Sequence, residues 1–117
     1  MEKETLPSQL KYKPLPDEVE ISSSPIEGMG IFAKKGIGQG TNLGMTHIKI
    51  GEKLIRTPLG GFLNHEDDAN CTKVELRMAN ENEIPFNYKK WNLVTLRNIK
   101  EGEELTLKYT FYNINDV

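Results

Sequence analysis

The sequence predicts an all-β or β-dominated domain, and three observations carry that expectation. Apolar residues recur at every second position in several short runs. Glycine interrupts the chain every few residues. No stretch of a dozen residues carries the apolar stripe of an amphipathic helix. At 117 residues the chain has room for one domain with one modest core.

Residues 1–18 hold Pro7, Pro14 and Pro16, many charges and few large apolar groups. They read as an N-terminal tail in which Leu10 and Tyr12 are available for local packing. The folded domain is expected over residues 19–117. Val19 and Ile21 alternate with polar neighbours and predict a strand. Gly28 and Gly30 break the chain before Ile31-Phe32-Ala33, a short apolar run closed by Lys34-Lys35-Gly36. Gly36, Gly38 and Gly40 in quick succession preclude a helix there. Leu43 and Met45 keep a period of two, and Ile48 and Ile50 resume it after a phase slip. That slip predicts a bulged strand or two short ones. From residue 72 to 78, Val74, Leu76 and Met78 share one face, with Lys73, Glu75 and Arg77 on the other. Trp91, Leu93 and Thr95 on one face and Val94 and Leu96 on the other make a strand apolar on both sides, expected at a central position. Tyr88 and Trp91 are expected to pack at the start of that strand. Ile99 to Glu103 predicts a turn, after which Leu105, Leu107 and Tyr109 lie on one side of a last strand.

Composition excludes several classes of function. The net charge is −2, and no cluster of Lys and Arg exceeds a pair, so the basic footprint of a nucleic-acid binder is missing. A mildly acidic chain suits a basic peptide partner. No apolar run approaches the roughly 18 residues that span a bilayer, and Met1-Glu2-Lys3-Glu4-Thr5 lacks the apolar core of a secretory signal. No membrane association is expected, and the expected location is cytoplasmic, in a host cell if the protein is viral. Cys71 is the single cysteine, so no internal disulfide or multi-cysteine zinc site can form. With only two histidines beside it, no metal is expected.

Three segments carry candidate chemistry. The first is Glu27-Gly28-Met29-Gly30-Ile31-Phe32-Ala33, the second Phe62-Leu63-Asn64-His65-Glu66-Asp67-Asp68-Ala69-Asn70-Cys71, the third Gly102-Glu103-Glu104-Leu105-Thr106-Leu107-Lys108-Tyr109. Taken singly, a Gly-x-Gly is most often a turn between strands, an Asn-His pair an Asn-initiated turn, and a tyrosine on a half-buried strand a core residue. Glu66, Asp67 and Asp68 read as solvated loop charges, and a lone His47 on a strand as a structural residue.

Together and in this order the three segments resemble the SET domain, the β-fold of S-adenosylmethionine-dependent protein lysine methyltransferases. The resemblance runs from about Val19 to Tyr112 and is to a minimal, single-domain member of the small viral or bacterial type. It implies small sheets around a pseudoknot-like C-terminal crossing. It implies S-adenosylmethionine as cofactor and a protein or peptide presenting lysine as partner. Gly28, Met29 and Gly30 would then approach the methionine part of the cofactor. Asn64 would bind its amino end, and the His65 backbone its adenine edge. Tyr109 would be the catalytic tyrosine, its hydroxyl facing the methyl in transfer and so also touching the cofactor. Phe111, Tyr112 and His47 are candidates for the lysine channel.

Two departures from the family pattern stand out. The second motif is usually Asn-His-Ser-x-x-Pro-Asn; here Glu66 replaces the serine and Ala69 the proline, which releases a φ constraint in the loop. The insert between the early strands and the Asn-His motif, from Ile50 to Gly60, is short. A homodimer that completes the substrate groove is compatible with so short an insert. These departures also keep open a second reading, a catalytically silent SET-like module that binds a peptide or protein. A third, without the family, is a generic small β-barrel or β-clip binding domain.

Overall fold

The alternation of Val19 and Ile21 becomes strand β1 (Val19–Ser23), which pairs antiparallel with β2 (Met29–Ala33). The structure is a computed structural model and describes residues 14–76 and 88–108. The remaining strands are β3 (Asn42–Ile50), β4 (Lys53–Arg56), β5 (Asn64–His65), β6 (Cys71–Leu76), β7 (Tyr88–Thr95) and β8 (Glu104–Leu107). They form one sheet in the order β1-β2-β8-β6-β7-β3-β4, with β5 attached to β8 off this path. All pairings are antiparallel except those of β8 with β5 and with β6. The chain therefore brings its last described strand back between its second and its sixth. This places the Gly-x-Gly, Asn-His and Gly-Glu-Glu segments beside one another.

Local chemistry explains the elements. The phase slip in β3 is a real irregularity: its register against β7 shifts between Asn42 and Gly44 and again between Met45 and His47. β7 lies between β6 and β3 as an interior strand, but Leu96, expected on its second apolar face, falls past the strand's end and is 48% exposed. The short insert folds as a hairpin of β3 and β4, where Ile50 faces Lys53 across a tight turn and Gly51 takes φ +61°. It ends in a single helical turn, α1 (Pro58–Gly61), with Pro58 at its start. Thr57 caps the turn by accepting from the Gly60 amide (3.2 Å) and donating to the Met45 carbonyl (2.7 Å). Gly60 is buried against the Thr46 backbone, and a β-carbon there would overlap the Thr46 carbonyl.

The core is built from Ile31, Leu59, Leu63, Leu93, Ile99 and Leu105, all fully buried, with Leu15 and Ile21 packed against the cluster. The glycine-rich loop after β2 is held by an Ile37–Ile99 bridge and by the Thr95 hydroxyl, which donates to the Gly38 carbonyl at 2.7 Å. β6 differs from its sequence pattern. Cys71, paired with both Thr95 and Leu107, is buried, but Val74 is 40% exposed. Only the first residue of β6 pairs with β8; Val74 lies on the part that projects past that pairing. Among the described residues no helix is long and apolar enough to cross a membrane.

Candidate functional site

The site grows from the turn between β1 and β2. Gly28 closes it at φ +45°, a left-handed conformation that a side chain would strain. The Ser24 amide donates to the Gly28 carbonyl (2.8 Å), and the Ser24 hydroxyl oxygen accepts from the amide of Ile26 (2.9 Å). Gly30 is glycine for another reason. A β-carbon there would overlap the Glu104 carboxylate and lie 3.1 Å from Asn64 Nδ2. The second glycine of the Gly-x-Gly thus clears space for two side chains from distant parts of the chain.

Those two side chains meet. Asn64, buried on β5, donates from Nδ2 toward the Glu27 carbonyl (3.0 Å), the Met29 carbonyl (3.2 Å) and Glu104 Oε2 (2.9 Å). Three acceptor oxygens around one end of the amide admit only the NH₂ group there. The carbonyl end is consequently turned away from them. Met29 and Gly30 thus meet Asn64, distant in the sequence, with Gly28 in the turn beside them and His65 next to Asn64 on β5.

The Asn-His loop, which lacks the serine and proline of the usual pattern, is held by hydrogen bonds from outside it. Asn70, 3% exposed, accepts at Oδ1 from the Thr106 amide (2.9 Å) and donates from Nδ2 to the Glu104 carbonyl (2.9 Å). Arg97 donates to the carbonyls of Asp68 (3.1 Å) and Ala69 (3.5 Å). These bonds restrain the backbone where the proline ring is lost. His65 pairs through its backbone with Leu107, while its exposed ring binds Asp67 Oδ1 at 3.0 Å. Glu66, Asp67 and Asp68 are exposed, as solvated loop charges should be. A pocket of about 340 Å³ opens beside this loop, lined by Asp67, Ala69, Cys71, Lys73, Leu107 and Lys108. Burial pushes the Cys71 thiol up to about 12, so it supplies no thiolate.

His47, a candidate for the channel, lies inside the sheet between Arg56 of β4 and Trp91 of β7, 2% exposed, with Nδ1 on the Thr46 hydroxyl at 2.9 Å. Burial, followed by the positive charges of Lys73 and Arg56, lowers its pKa from 6.5 to about 4. The imidazole is therefore neutral at pH 7. The unfolded chain takes up this proton near pH 6.5 and the folded chain only near pH 4, so unfolding binds a proton between those values. Stability should fall as pH drops from about 6.5 to about 4, by up to about 3 kcal/mol from this one group. Urea unfolding at several pH values should show a shallower loss in His47→Gln than in the parent chain.

Tyr109, Phe111 and Tyr112 lie outside the described residues. Ser24 and Arg97 lie outside the three candidate segments, whereas Asn70 and Glu104 lie within them but had no role assigned from the sequence. For Glu104 a signal existed: it alternates with Leu105 and Leu107 and so shares the opposite face with Thr106, the partner of Asn64. Among the described residues no group of three or more His, Cys, Asp or Glu side chains could hold a metal ion.

Comparison with known proteins bears on the fold and the family. The SET-domain profile matches residues 45–110, more than half of the chain. A Plasmodium falciparum protein named as a candidate histone methyltransferase is similar in structure, with a TM-score of 0.63 and 16% identity, covering 80% of this chain and 93% of that one. A chain of the Polycomb Repressive Complex 2 of Chaetomium thermophilum, in a humanized mutant form solved with the inhibitor GSK126, gives a TM-score of 0.63 at 18% identity. That match covers 82% of this chain and 15% of the Polycomb chain. At these identities the likeness shows the fold. No curated protein matches the sequence.

Proposed function

This chain belongs to the SET-domain family, and from that membership we propose that it transfers a methyl group from S-adenosylmethionine to a lysine side chain of a protein. The observation that carries the proposal is the orientation of Asn64. Its NH₂ group is consumed by Glu27, Met29 and Glu104, so its carbonyl end is free to accept from an ammonium group. An acceptor of that kind fits the amino end of the cofactor, beside the exposed residues Gly28 and Met29.

When bound, the cofactor supplies a methyl group on a sulfonium, open to in-line displacement. The chain's own residues have three tasks. Gly28, Met29, Gly30 and Asn64 hold the amino-acid end, and the His65 backbone the adenine edge. The hydroxyl of Tyr109, assigned by the family resemblance, orients the lysine nitrogen and polarises the methyl through weak C–H···O contact. An apolar channel favours the neutral amine over the ammonium, whose ordinary pKa is about 10.4. Phe111 and Tyr112 are proposed to wall that channel. No general base or metal is required. The minimal insert leaves substrate selection to a small surface, and a second copy of the chain is one way to extend it.

The test is incubation of the purified protein with methyl-labelled S-adenosylmethionine and total protein from its source. Label on lysine in one or a few polypeptides is the expected result. Cofactor binding with no transfer to any protein would identify a silent binding module instead.

A further inference from the structure

Glu104 accepts on both carboxylate oxygens from the Ser24 hydroxyl, at 2.9 and 2.8 Å, and its Oε2 also accepts from Asn64 Nδ2 at 2.9 Å. It is half-buried, and among the described residues no Lys, Arg or His side chain is paired with it. Its charge is met only by a hydroxyl and an amide. The lack of a side chain at Gly30 is what lets it approach Asn64. From this arrangement we infer that Glu104 is a positioning residue: it fixes the polarity of Asn64 and sets a negative charge behind that amide, so that the site selects ligands carrying a free amino group.

The physical argument has two parts. If the Asn64 amide turned over, its carbonyl oxygen would face the Glu27 and Met29 carbonyls and the Glu104 carboxylate, three acceptors with no donor among them. The carboxylate makes that reversal the most unfavourable, because its bond to the NH₂ group is charge-assisted. The second part is longer in range. A half-buried carboxylate with no cationic partner attracts an ammonium held on the far side of Asn64, more strongly than it would in water. Ser24 completes the device. It ties the carboxylate to the turn that ends at Gly28, so the turn and the amide are set by the same group.

The inference rests on the reading of this site as a cofactor site, and its test separates the two. S-adenosylhomocysteine, which has the amino group but no sulfonium charge, is compared with its deaminated analogue by calorimetry. Glu104→Gln should weaken the amino-bearing ligand about tenfold and the deaminated one by less than about twofold. Ser24→Ala keeps the charge and loosens its position, so it should cost about threefold, again only for the amino-bearing ligand. It carries the test if Glu104→Gln does not fold. Equal losses for both ligands would reduce Glu104 to a structural brace, and no loss for either would remove its role. Failure of the unaltered protein to bind either ligand would overturn the cofactor reading itself.

Discussion

Replacing Tyr109 by phenylalanine is expected to lower the turnover of methyl transfer about a hundredfold or more, with cofactor affinity and folding nearly unchanged. The residue follows Leu107 and Lys108 at the end of β8, where the strand pairs in parallel with the Asn-His segment. The family resemblance puts its hydroxyl beside the methyl in flight. Phenylalanine keeps the ring and removes only the hydroxyl that is proposed to orient the amine. A purely structural tyrosine gives the opposite pattern: a stability loss of about 1 kcal/mol from one hydrogen bond, with turnover per folded molecule intact. Single-turnover methylation and cofactor titration on the same variant distinguish the two.

Asn64→Ala should weaken S-adenosylmethionine binding roughly tenfold to a hundredfold, since a positioned polar partner at a half-buried site is worth about 1–3 kcal/mol. The variant does more than delete a ligand contact. It leaves Glu104 Oε2 and the carbonyls of Glu27 and Met29 without their shared donor. The turn carrying Gly28 loses its tie to β5, so a lower thermal midpoint should accompany the weaker binding. Asn64→Asp is the sharper variant. It preserves shape but brings a carboxylate against three oxygens and should bind no better than the alanine form. Thermal melts with and without cofactor, read beside calorimetry, check both effects.

Much of the fold was legible, for reasons tied to particular residues. The slip between Met45 and Ile48 marks the irregular register of β3, because a bulge shifts which side chains share a face. The apolar run from Trp91 to Thr95 announces the interior strand β7, whereas Leu96 lies past its end and is exposed. α1 escaped periodicity because one turn has no repeat; its signal is the Thr57 cap followed by Pro58. Alternation identifies strands but names no partners, so the place of β8 between β2 and β6 is visible only in the structure. The same limit applies to the site. Gly28 declares a special turn, whereas the need for glycine at Gly30 is set by Glu104, distant in sequence. His47 illustrates the reverse case. Nothing in its neighbours foretells that burial and two cations hold it neutral.

The central claim is that the Gly-x-Gly turn, Asn64 and Glu104 form a single cofactor site. Calorimetric titration of S-adenosylmethionine into the free protein tests it most directly. The account predicts saturable one-to-one binding that is strongly weakened in Asn64→Ala. No heat of binding and no thermal stabilisation at millimolar cofactor would contradict it.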